Sequence, residues 1–202
     1  SAARSGDTVV VTREMFEMFR SLRGAVAYAL MTRADAAVYM VALQRKQPEN
    51  TEVQHVKALN AVVKYLQREP IAIHYKCLGV DTHFRLYSDS AFKKELDCGH
   101  AIKGTLTMRV SGSRAVDAGG LLTSGHGHLI DHVCKRVRNV TRSTWSSELF
   151  SLCDAADHGM LLRQIGHEFC HGPLSAESAR MLREGGLASK VAIDIIVDAF
   201  PK

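Results

Sequence analysis

The 202-residue chain has no apolar run approaching the roughly 18 to 20 residues that span a bilayer. Its opening, SAARSGDTVVVTREMFEMFR, lacks the compact apolar block and cleavage site of a secretory signal. No membrane span is expected, and an intracellular, reducing compartment fits better than a secretory one. The cysteines agree. There are five, Cys77, Cys98, Cys134, Cys153 and Cys170, an odd number at wide, irregular spacing, which speaks against a disulfide framework. Internal repeats and low-complexity tracts are missing as well. Neither GTLTMRVSG nor DAGGLLTSGHG carries the Lys-Ser/Thr ending of a phosphate loop or the strand-to-helix setting of a dinucleotide site, and no Ser-His-Asp order stands out.

What is present is a basic chain with enough apolar content for a real core. Hydrophobic residues make up 46% and the formal charge is +5, a moderate bias toward polyanions. The position of the charge is more informative than its sum. KRVRNVTR places Lys135, Arg136, Arg138 and Arg142 within eight residues, a candidate nucleic-acid contact.

The first seventy residues read as helical. Phe16, Phe19, Leu22 and Val26 mark one helix, and a second starts at Thr32 or Asp35 and runs through Val38, Val41 and Ala42. QPEN interrupts the pattern. A third helix follows over 51–68, with Val53, Val56, Leu59, Val63 and Leu66 on one side, and Glu69-Pro70 ends it. Beyond Pro70 the pattern becomes strand-like in IAIHYKCLG, HFRLYSDSA, HAIKGTLTMRVSG and GHLIDHVCKRVR. A Ser/Thr cluster at 141–147 caps a helix whose apolar face is Leu149, Leu152, Cys153, Ala156 and Met160. GHEFCHGPLS reads as a loop, AESARMLREGG as a short helix and KVAIDIIVDA as a last strand. The fold class is α+β or α/β, divided into a helical segment, 1–69, and a mixed sheet with packed helices, 70–202.

Three acids occupy comparable places on these core elements. Asp89 ends a strand, Glu148 opens the helix that follows the hairpin strands, and Asp198 lies near the end of the last strand. A carboxylate on a buried element is costly unless paired or bound to metal, so these acids are better candidates than loop acids. Convergence of all three would suit Mg²⁺ or Mn²⁺. The plainer reading of Glu148 is surface charge favoured by the positive end of its helix.

At these residues a family resemblance emerges. The segment from Leu22 to Lys76 resembles the stretch that closes the reverse transcriptase of copia-type LTR retrotransposons. The shared features are a Gly before a Tyr-containing helix, the Thr-Arg-x-Asp step TRAD at 32–35, HVKA at 55–58 and the Tyr65-Leu66 pair. LYSDSAF is similar to that family's first ribonuclease H strand, STWSSELFSL to its entry into the glutamate helix, and AIDIIVDA to the strand bearing the third acid. Order and spacing match over roughly residues 20–200. The resemblance implies that 1–69 is the end of a reverse transcriptase (thumb or connection) and 70–202 a ribonuclease H-like domain. It implies Asp89, Glu148 and Asp198 as catalytic, metal-binding acids, Mg²⁺ or Mn²⁺ as cofactor, and hydrolysis of RNA in an RNA/DNA hybrid.

The sequence departs from the family pattern in two places. Ala91 stands where copia-type elements have a second acid on the first strand. The match also stops four residues after Asp198, before the further helix, strand and fourth acid of a full ribonuclease H domain, so the domain is expected to be C-terminally incomplete. The alternative function is therefore a catalytically inactive, recruited remnant serving as a structural or nucleic-acid-binding subunit. In either case apolar surface and a protein partner, or a larger assembly, are expected. Two His/Cys groups, His126, His128, His132 with Cys134 and His167, His171 with Cys170, have zinc-type ligands, though turn and packing roles explain them more simply. Cys153, Met15, Met18, Met31 and Met40 read as core or interface filling, and His55 and Tyr65 as packing residues.

Overall fold

The computed structural model describes residues 6–79, 81–92, 100–112, 126–138, 141, 143–187 and 191–197. It is a mixed α/β chain that divides into two compact units, Ser1–Ile73 and His74–Lys202. The sequence pattern places the change four residues earlier, after residue 69.

The first unit is helical. In α1 (Arg13–Ala29), the Thr12 side chain accepts from the Met15 N–H, and Phe16, Phe19 and Val26 are buried. In α3 (Val53–Arg68), Leu59 and Val62 are buried, and Val53, Val56, Val63 and Leu66 pack beside them. Glu52 and His55 form the reciprocal cap of α3, with the Glu52 N–H donating to His55 Nδ1 at 2.9 Å. The expected second helix is broken. Only Ala37–Met40 (α2) is α-helical, flanked by 3₁₀ turns at Ala34–Ala36 and Leu43–Arg45. Ala36, Met40, Val41 and Leu43 enter the core while Val38 stays outside, because the tighter turns rotate the apolar positions. Met40 fills the core as expected, but Met18 and Met31 are largely exposed.

An ion-pair network joins α3 to the break. Arg33 clamps Asp35 with two bonds, Nε to Oδ1 at 2.9 Å and Nη2 to Oδ2 at 2.8 Å, while the Tyr65 hydroxyl donates to Oδ2 at 2.7 Å. Arg33 Nη1 also donates to the Glu69 carbonyl, 2.8 Å away. Tyr65 is therefore more than a packing residue. The Arg33 bonds, assisted by Tyr65, hold the Asp35 carboxyl down at about 2. A depressed carboxyl contributes stability that is present above its unfolded value and lost as pH falls through its folded value. The helical unit is thus expected to lose this contribution between about pH 4 and pH 2. Acid unfolding followed by circular dichroism, with Asp35→Asn removing that dependence, checks this.

The second unit is a four-stranded mixed sheet in the order β3-β2-β1-β4. Strands β1 (Thr82–Ala91), β2 (Ile102–Ser111) and β3 (Gly127–Arg136) form an antiparallel meander, and β4 (Ile193–Val197) lies parallel to β1 on its other side. Residues 70–79 carry no strand. Within the second unit Tyr75 is tied to β3 by its side chain instead, its hydroxyl donating to the Leu129 carbonyl and its ring edge-on to His128.

Helix α4 (Thr144–His171) is longer than the sequence suggests and absorbs the residues expected to form a loop at GHEFCHGPLS. Gly166 does not interrupt it, because its missing side chain makes room for Phe84, and a Cβ there would come within 3.2 Å of that ring. The stop comes at Gly172, whose φ of 89° suits glycine, with Pro173 next. After α4 comes α5 (Ala176–Arg183), capped by the Ser175 side chain. Among the described residues no helix is long and apolar enough to cross a membrane.

Candidate carboxylate site at the head of helix α4

The face that α4 turns to the sheet is not its most apolar one. Ser147, Ser151, Ala155 and Gly159 are buried at four-residue spacing, whereas Leu149 and Cys153, expected on the core face, are exposed. Small side chains let the helix settle close to β1. A Cβ on Gly159 would lie 3.4 Å from Ile193 Cγ2 and 3.6 Å from Leu86 Cδ2, ordinary van der Waals contact. Gly159→Ala is therefore expected to gain about 0.5–1 kcal/mol from helix propensity. Gly159→Leu is expected to lose about 1–3 kcal/mol by overpacking. Chemical unfolding of the two variants compares these opposite signs.

Two hydroxyls at the head of the helix fix its register on the sheet. Ser151 Oγ lies 2.8 Å from Ser88 Oγ and donates to the Asp89 carbonyl at 3.0 Å. Ser143 caps the helix by accepting from the Ser146 N–H, so the Ser/Thr cluster splits into a cap and a latch. Glu148 is half-buried and lies one turn before Ser151, so it sits at the Asp89 end of β1. Asp89 itself is exposed, and its carboxylate accepts from the Ser90 N–H at 2.7 Å. Because Leu86 and Ser88 face α4, strand alternation sends the Asp89 side chain to the other face. The latch therefore holds the backbone of Asp89 and leaves its carboxylate open.

β4 approaches the same end. Its register runs from Phe84↔Ile193 to Ser88↔Val197, so both parallel strands finish beside Asp89. The third expected acid, Asp198, follows Val197 in the chain and lies outside the described residues. Among the described residues no group of three or more His, Cys, Asp or Glu side chains is arranged to hold a metal ion.

The basic run does not act as one patch. Lys135 points toward α4, where its ammonium is 3.7 Å from Asp154 Oδ2, and alternation turns Arg136 to the opposite face. Lys103 of β2, which sequence reading missed, pairs with the same Asp154 oxygen. Lys103 lies across from Ser90 on one side and from Lys135 on the other. Burial lowers its pKa, and the nearby Lys135 and Arg138 lower it further, which places three cations near the head of α4. No local motif marks Lys103. Only the strand register brings it next to Asp89. Arg142 lies outside the described residues.

The first histidine group is divided by geometry. A β-bulge shifts the β2–β3 register between Thr107 and Met108, and the parity change puts His128 and His132 on opposite faces. His128 Nε2 sits 2.6 Å from the Lys76 carbonyl. A different cluster escaped the sequence altogether. His83, Arg85 and Asp194 are all buried, with His83 Nε2 3.0 Å and Arg85 Nε 3.9 Å from Asp194 Oδ2. Asp194 of VAIDIIVDA is thus an interior charge partner, a role its apolar neighbours in sequence conceal.

No protein-family model, curated protein or solved structure matches the chain. The functional reading therefore rests on the chain's own motifs and geometry.

Proposed function

We propose that residues 74–202 form a ribonuclease H-like module of the copia-type retroelement kind, which cuts the RNA strand of an RNA/DNA hybrid. The observation that carries this reading is the Ser151 latch, which sets the Glu148 helix at the Asp89 end of β1, where β4 also ends. A mixed sheet with a helix packed across it is compatible with the mixed sheet and packed helices that the resemblance implies.

The donors fit a hard divalent cation in kind. Asp89 and Glu148 offer carboxylate oxygens, the ligand type of Mg²⁺ and Mn²⁺, and among the described residues no cation pairs with Asp89. The resemblance names Asp89, Glu148 and Asp198 as the acids that would hold the ion, while alternation sets the Asp89 side chain on the sheet face opposite α4. When bound, such an ion supplies charge stabilisation and an oriented water for phosphodiester hydrolysis. The chain's own contribution is positional. The latch fixes where Glu148 stands relative to β1, and Lys103, Lys135 and Arg138 place positive charge where a nucleic-acid backbone would run.

A second reading, an inactive remnant that binds nucleic acid or a protein partner, draws on Ala91 and on the exposed side chains Trp145, Leu149 and Phe150 on the outer face of α4. Cleavage of an end-labelled RNA/DNA hybrid in Mg²⁺ or Mn²⁺, alongside hybrid binding, separates the two. RNA cutting supports the nuclease, and binding without cutting by the folded chain supports the remnant.

A further inference from the structure

We propose that His167 and His171, at the far end of α4, form a chelating site for a late first-row transition-metal cation such as Cu²⁺ or Zn²⁺. The two histidines are four positions apart on a continuous helix, so they project from one face. Their ring centroids are 4.9 Å apart and the rings are inclined at 57°, the approach that lets two imidazoles address one ion. A pair at this spacing on a helix is a recognised way of presenting two nitrogen ligands.

Two further observations favour a cation here. His167 is half-buried, and its Nδ1 is buried without a hydrogen-bond partner among the described residues. An orphaned lone pair is costly, and coordination would satisfy it. His171 also stands in the last turn before Gly172, where the free carbonyls and the negative end of the helix dipole attract positive charge. The exposed His171 leaves the rest of the ion's coordination shell open to water. This matches a two-nitrogen site rather than a closed structural one.

The site is separate from the carboxylates. Glu148 and His167 stand nineteen positions apart on the helix, about 28 Å along its axis. The ligand chemistry differs too, since imidazole nitrogen selects borderline metals and, among divalent ions, Cu²⁺ most strongly.

The test uses the full chain and Cu²⁺ alone as probe, with electron paramagnetic resonance for the ligands and competition against a chelator for affinity. One Cu²⁺ with two imidazole nitrogens is expected, with affinity falling at least about tenfold in His171→Ala. His171 is exposed at a helix end, so this variant should keep the natural circular dichroism spectrum. His132→Ala, on β3, serves as the control and is expected to bind like the natural chain. Equal affinity in His171→Ala, a one-nitrogen spectrum, or loss of binding in His132→Ala would each overturn the site.

Discussion

Asp89→Asn is expected to lower hybrid cleavage by about two to three orders of magnitude, the usual effect of removing one preorganised electrostatic group from a reaction site. The substitution keeps the volume and removes the charge. Its fold should survive, because the latch holds the Asp89 carbonyl, which Asn retains. Hybrid binding should also survive, since Lys103, Lys135 and Arg138 are untouched. Single-turnover cleavage and filter binding measured together give the answer. Unchanged cleavage would remove Asp89 from the site, and equal loss of binding and cleavage would show that the residue holds the fold rather than the chemistry. Activity tracking Mg²⁺ in the natural chain but not in the variant would identify the carboxylate as a ligand.

Asp194→Ala should cost the sheet unit roughly 3–5 kcal/mol, the typical penalty for removing one partner of a buried ion pair. Arg85 is 4% exposed and Asp194 7% exposed, so the guanidinium left behind cannot turn to water without opening the sheet. Register adds to the effect. Arg85 and Asp194 are direct neighbours on parallel strands, so the charge pair and the β1–β4 pairing support each other. Asp194→Asn, which preserves shape and hydrogen-bonding capacity, should fall between the natural chain and Asp194→Ala. Denaturant unfolding of the three proteins decides the matter, and a loss below about 1 kcal/mol for Asp194→Ala would mean that the cluster is already screened.

Much of the architecture is legible in the sequence because it depends on local pattern. Alternation locates β1, β2 and β3 to within a few residues, and Ser or Thr caps mark the starts of α1, α4 and α5. The errors share a cause. The sequence ranks faces by hydrophobicity, but α4 is set down by the small side chains of Ser147, Ser151, Ala155 and Gly159. The glycine at 166 reads as a breaker and is instead a seat for Phe84. The segment 70–79 has the composition of a strand yet finds no partner in the sheet. For the site, the residue types of Asp89 and Glu148 are legible, but Lys103 and the His83–Arg85–Asp194 cluster exist only once strands are paired. The TRAD step and Tyr65 carried the resemblance as motif letters, and the structure gives them a physical task in the Arg33–Asp35–Tyr65 network.

The placement of β4 has a consequence for how the chain comes together in time. β1, β2 and β3 are sequence neighbours, so the meander forms by closing connections of ten and fifteen residues, whereas β4 must return to β1 after about a hundred intervening residues. Its arrival is the slow, non-local event of the second unit, and until then His83 and Arg85 lack their interior counter-charge. A nascent or partly opened chain therefore presents an unfinished sheet edge along β1, and a short strand from another molecule could occupy it before β4 does.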